Sequence, residues 1–239
     1  MISPWLLALI ATQTASAYVA SSPAQCRPGT HWTTSYVDRR GVPYRSSCRS
    51  NPSGYHLWLP RITNGSPAHW PNDTEHSKRW NTEEKERVLD AIGHIPEAIW
   101  PGHEIGIYRM DRSKDGPGNT ASSNVNAITL YDSAFRANDT QLTRFIAHEF
   151  AHRFWLKLDD KLKRPYYVAG GWGVDGDNAE NIKFSRGKNF IYADGDLGPE
   201  EDFANNIEAF LIEPKELERV SPAIHYWIHE VFGDNFRLR

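Results

Sequence analysis

The segment His148-Glu149-Phe150-Ala151-His152 constrains this 239-residue chain more than any other stretch. Two histidines four residues apart lie one above the other on one face of an α-helix, so their imidazoles can converge on a single metal ion. The same spacing in a strand or a Pro-rich loop could not form the site. Glu149 then sits beside that ion, where it can take a proton from an attacking water and later deliver it to a leaving amine. The surrounding residues predict the helix: after Asp139-Thr140, which reads as a cap, Leu142, Phe145, Ile146, Phe150, Phe154 and Trp155 recur at helical spacing to about Leu158. Burying two imidazoles and a carboxylate on so apolar a helix would be costly without a ligand. The pattern therefore predicts a zinc-dependent hydrolytic site, with His148 and His152 on the metal and Glu149 as catalytic base.

A catalytic zinc usually has three protein ligands and an open fourth position. The residues after His152, Arg153-Phe154-Trp155-Leu156-Lys157-Leu158, contain neither the Gly nor the third His of the metzincin pattern. The remaining candidates are downstream carboxylates. Gly198-Pro199-Glu200-Glu201-Asp202 is a helix start signal, and Phe203, Ile207, Phe210 and Leu211 continue an apolar face. On that predicted helix Glu201, Asn205 and Glu208 share one stripe at i, i+4 and i+7.

HEFAH together with Glu201-Asp202-Phe203-Ala204-Asn205 resembles the gluzincins, zinc peptidases whose third ligand is a glutamate on a helix downstream of HExxH. It is most similar to their anthrax-lethal-factor-like branch, in which HEFxH is followed several tens of residues later by E-[acidic or aromatic]-F-A-E-x-[hydrophobic]. The resemblance runs from about residue 84 to 212. It implies Glu201 as the third ligand, ahead of Glu200, Asp202 and Glu208. It also implies an oxyanion donor in Tyr192, with Tyr166, Tyr167 and His225 as alternatives. Asn205 departs from the acidic residue usual at its place, where such a group would hydrogen-bond a ligating histidine. Extended substrate is expected to pair with the strand Asn126-Ala127-Ile128-Thr129-Leu130-Tyr131, entering the sheet edge near Ile128.

Elsewhere the chain reads as follows. Residues 1–11 form a short apolar run before the small-residue site Ala15-Ser16-Ala17, which predicts a secretory leader cleaved after Ala17. Cys26 and Cys48 are the only cysteines, and in an exported chain they read as one disulfide. Closing that loop would restrict the unfolded chain by about 3 kcal/mol. Residues 18–80 are rich in Pro, Gly, Ser and aromatics, with a hairpin expected over residues 32–45 around the turn Asp38-Arg39-Arg40-Gly41. Asn72-Asp73-Thr74 and Asn138-Asp139-Thr140 match glycosylation sequons. Helix is predicted from Thr82 to about His94, a strand over residues 104–110, irregular chain over 159–199, and a last helix from Ser221-Pro222 to about Phe232. His225 and His229 have helical spacing but no carboxylate partner and read as packing residues. The Asp175-Gly176-Asp177 and Asp194-Gly195-Asp196 turns lack the spacing of a calcium loop. His31, His56, His69, His76, His94 and His103 lack ligand spacing.

A formal net charge of −3, with 24% charged residues, offers no basic stripe for nucleic acid. There is no Gly-x-Ser-x-Gly and no phosphate-binding Gly loop. The reading is an α+β, zincin-like fold with a small antiparallel or mixed sheet over the HExxH helix and a downstream glutamate helix. Its parts are a leader (1–17), a disulfide-stapled hairpin region (18–80) and the zincin-like domain (81–239). The expected function is that of a secreted, monomeric zinc endopeptidase acting on peptide or protein substrates, with no nucleic-acid partner and no membrane attachment once the leader is removed. The rival reading is a secreted binding or adhesion module with a structural zinc or a degenerate site.

Overall fold

A computed structural model describes residues 22–67, 75–102, 104–114, 116, 118–124, 126–174, 182–184 and 189–239. The leader, the Asn72 sequon, the Asp175-Gly176-Asp177 turn, His69 and His103 lie outside the described residues. The chain divides into two compact units, the first ending at Ser50 and the second comprising Asn51–Arg239.

In the first unit, β1 (Thr30–Thr33), β2 (Tyr36–Val37), β3 (Pro43–Tyr44) and β4 (Ser47–Ser50) make one long interrupted hairpin. β1 pairs antiparallel with β4 and β2 with β3, so the hairpin extends beyond the predicted residues 32–45 at both ends. The Asp38 carboxylate closes the turn by accepting from the backbone amides of Arg40 and Val42, both at 2.9 Å. Where the ladder breaks, the Ser35 amide donates to Ser46 Oγ at 2.7 Å. Cys26 and Cys48 form the expected disulfide, which ties the arm before β1 to β4.

The second unit is mixed α+β. Its elements are α1 (Tyr55–Trp58), β5 (Ile62–Thr63), α2 (Thr82–His94), β6 (Gly106–Arg109), β7 (Ala121–Asn124), β8 (Ala127–Leu130), α3 (Asp132–Arg136) and α4 (Asp139–Trp155), followed by α5 (Asp160–Gly170), β9 (Trp172–Val174), β10 (Ile182–Phe184), α6 (Pro199–Ile212), α7 (Pro214–Val220) and α8 (Pro222–Phe232). α2 starts at a reciprocal cap: Asn81 Oδ1 accepts from the Glu84 amide, and the Glu84 carboxylate accepts from the Asn81 amide. The four-stranded sheet runs β5-β6-β8-β7, parallel except for the antiparallel β7–β8 pair.

That order corrects the expected substrate edge. β8, which contains Ile128, lies between β6 and β7 and so has no free edge; the edge strands are β5 and β7, of which β7 packs on α4. Sequence made β8 look available because its apolar run does not reveal how many neighbours a strand has.

α4 is capped by Asn138, whose side chain accepts from the Gln141 amide at 2.9 Å, rather than by Asp139-Thr140. Its apolar face packs on both sides of the core. Trp58 stacks on Phe150 at 5.1 Å, and Trp155 meets Phe203 of α6 at 5.0 Å. Residues 159–199 are not irregular throughout. Asp159 caps α5 by accepting from the Leu162 amide, and Gly171, at φ +68°, ends it in the left-handed region glycine favours. α5 also accommodates Pro165 in its interior, a residue that is locally unfavourable there. Its buried Tyr166, packed against Trp155, Phe203 and Trp227, supplies the tertiary hold that outweighs the proline. Among the described residues no helix is long and apolar enough to cross a membrane.

Candidate metal centre

α4 and α6 pack side by side and bring their polar stripes face to face. His148 and His152 of α4 and Glu201 of α6 converge as a group that can hold a metal ion. The two Nε2 atoms are 3.0 Å apart, and the Glu201 oxygens lie 3.1 Å from His148 Nε2 and 3.3 Å from His152 Nε2. For metal–ligand bonds of about 2.0–2.1 Å, the edge of a regular tetrahedron is about 3.3 Å, so the donor spacing fits a tetrahedral ion. Among the described residues no other group of three such side chains converges.

The three remaining acids of the glutamate segment have separate positions. The Glu208 carboxylate lies 3.1 Å from His148 Nδ1, and Glu200 lies 3.3 Å from His152 Nδ1, so each imidazole has a carboxylate behind it. Asp202 faces the core, where it accepts from Tyr166 Oη and Trp172 Nε1, both at 2.8 Å, and from Asn206 Nδ2. Asn205 donates to Asp194 Oδ1 at 2.7 Å and touches neither histidine. Asp194, in a 3-10 helix over Ala193–Leu197, is thereby tied to α6. His225 packs against the Phe210 ring, and His229 pairs with Asp234 at 2.6 Å.

His148, Glu149, His152 and Glu201 open onto a cleft of about 730 Å³. Asn119 and residues Ala121, Ser122 and Ser123 of the β7 edge line one side, and Leu197 to Glu200 line another. Glu149 is buried, and Ser123 hydrogen-bonds its carboxylate; burial raises its pKa above the ordinary carboxylate value despite the opposing charges of His148 and His152. Tyr192 is not among the cleft-lining residues. Its ring lies 4.5 Å from the Arg144 guanidinium, and burial and the Glu208 charge hold its pKa well above the usual value. The tyrosine on the cleft wall is Tyr167. Ser123 and Arg144 carried no sequence signal beyond the latter's position one turn before His148.

Burial alone would lower the pKa of both histidines. Hydrogen bonds to Glu201 and Glu208, with the charge of Glu149, raise His148 to about 10; Glu200 and Glu201 raise His152 to about 9. With Nε2 atoms in contact, the rings titrate as a coupled pair that retains at least one proton through neutral pH when no metal is bound. Metal needs both rings neutral, so uptake at pH 7 should release about one proton or more, and affinity should strengthen as pH rises toward 9. Titration calorimetry in buffers of different ionisation enthalpy measures that number; a value of zero would contradict the coupled pair.

No family model, curated protein or solved structure matches the chain at a significant level. The resemblance to gluzincins therefore rests on the sequence pattern alone.

Proposed function

We propose that this protein is a secreted zinc-dependent endopeptidase of the gluzincin type, with a zincin-like fold. The observation that carries the reading is the convergence of two histidines and one glutamate, at tetrahedral spacing, on an open cleft that also holds a buried glutamate. Three protein donors, rather than four, among the described residues support a catalytic over a purely structural site. The leader-like first 17 residues and the Cys26–Cys48 disulfide support export. The antiparallel edge strand β7 bordering α4 supports the zincin-like assignment.

His148, His152 and Glu201 would hold the ion. Bound zinc would polarise a substrate carbonyl and lower the pKa of a water molecule. Glu149 takes the proton from the attacking water and passes it to the leaving amine; its raised pKa brings it nearer the range in which one group can do both. The β7 edge offers its backbone to an extended peptide, aligning a scissile bond above the histidines. Tyr167 on the cleft wall is the tyrosine best placed to steady an oxyanion.

The test is metal analysis of the purified protein together with hydrolysis of an unfolded protein substrate, with and without a chelator. Stoichiometric zinc and chelator-sensitive cleavage are expected. Zinc bound by four protein donors, with no cleavage, would make the site structural.

A further inference from the structure

We propose that Glu208, anchored by Arg144, fixes the orientation of His148 at the metal centre, so that His148 is the rigid ligand and His152 the more adaptable one. The inference rests on the metal-centre reading above.

Arg144 and His148 are one turn apart on α4 and face the same side. A single carboxylate from α6 serves both: one Glu208 oxygen pairs with Arg144 Nε, and the other lies 3.1 Å from His148 Nδ1. The Glu208 side chain is only 6% exposed. Arg144 is itself held over the Tyr192 ring at 4.5 Å and near Glu213 at 3.4 Å. A proton on Nδ1 held by this fixed acceptor leaves the Nε2 lone pair facing Glu201 and His152, the geometry a ligand needs.

The arrangement behind His152 is different. Glu200 is 45% exposed and 3.3 Å from Nδ1, and among the described residues no arginine hydrogen-bonds its carboxylate, which Arg153 reaches only through its charge. Position 205, one turn after Glu201, cannot do the work of Glu208, because Asn205 is committed to Asp194. The positioning carboxylate therefore lies two turns along the helix from Glu201.

Glu208→Gln tests the idea sharply. A carboxylate has an acceptor for each partner, whereas a glutamine has one acceptor oxygen, so either Arg144 or His148 goes unserved. Zinc affinity, measured by competition with a chromogenic chelator, and the visible absorption spectrum of the cobalt(II) form are compared for the full chain. In Glu208→Gln zinc affinity is expected to fall by about 10- to 100-fold, with an altered cobalt band. Glu200→Gln is expected to change affinity by less than about fivefold and leave the band in place. Arg144→Gln, which keeps the carboxylate but frees it, should alter the cobalt band in the same direction as Glu208→Gln, and it decides the matter if Glu208→Gln does not fold. Equal effects of Glu208→Gln and Glu200→Gln, or a wild-type cobalt band in both Glu208→Gln and Arg144→Gln, overturn the proposal and leave the metal centre standing. Failure of the wild-type protein to bind either metal overturns both.

Discussion

Glu149→Gln is expected to leave metal content unchanged and to lower turnover by about 10²- to 10⁴-fold. Glutamine has the size of glutamate and can still accept a hydrogen bond from Ser123, so the cleft should keep its shape. What it loses is the ability to take a proton. The sign of the stability change follows from the same burial. A carboxylate whose folded pKa is raised costs stability above its unfolded value, so at neutral pH the uncharged glutamine should make the fold no less stable. Steady-state kinetics beside metal analysis and thermal melting distinguish these effects. Hydrolysis within tenfold of wild type would remove Glu149 from the role of base.

Glu201→Ala should have its largest effect on the metal. The carboxylate touches both Nε2 atoms, and removing one of three ligands is expected to weaken zinc binding by roughly two to three orders of magnitude. In the metal-free protein, burial would raise the Glu201 pKa, but hydrogen bonds from both histidines and their charges lower it to about 2. A depressed carboxylate contributes stability that is present above its unfolded pKa, near 4.5, and is lost as pH falls through about 2. The alanine variant should therefore melt at a lower temperature than wild type at pH 7 even without metal. Unchanged metal content after dialysis would move the third ligand elsewhere.

How far the site could be read from sequence differs residue by residue. His148 and His152 were legible because helix geometry alone places i and i+4 on one face. Glu201 was reached through a resemblance, and the structure brings it to the two histidines. Glu208 and Glu200 were visible only as competitors for the third ligand; their place behind the imidazoles depends on how α6 is rotated against α4, which no local pattern encodes. Arg144 and Ser123 were not legible, since each matters through a partner some tens of residues away. α5 is obscured in the sequence by the glycine pair and Asp-Gly-Asp turns that follow it, while the contacts of Tyr166 that hold it come from other elements.

The HEFAH segment, the two cysteines and the apolar spacing along the chain determined the helix that carries the two histidines, the disulfide and most of the long helices, because each depends on the fixed geometry of nearby residues. Only the tertiary structure decided which strands are edges, which glutamate meets the two Nε2 atoms, and which acids stand behind the rings. Those outcomes depend on the packing of α4 against α6 and on the strand order β5-β6-β8-β7. Packing of this kind is set by side chains distant in the chain, and it turns a pair of histidines into a site with three converging donors and a cleft.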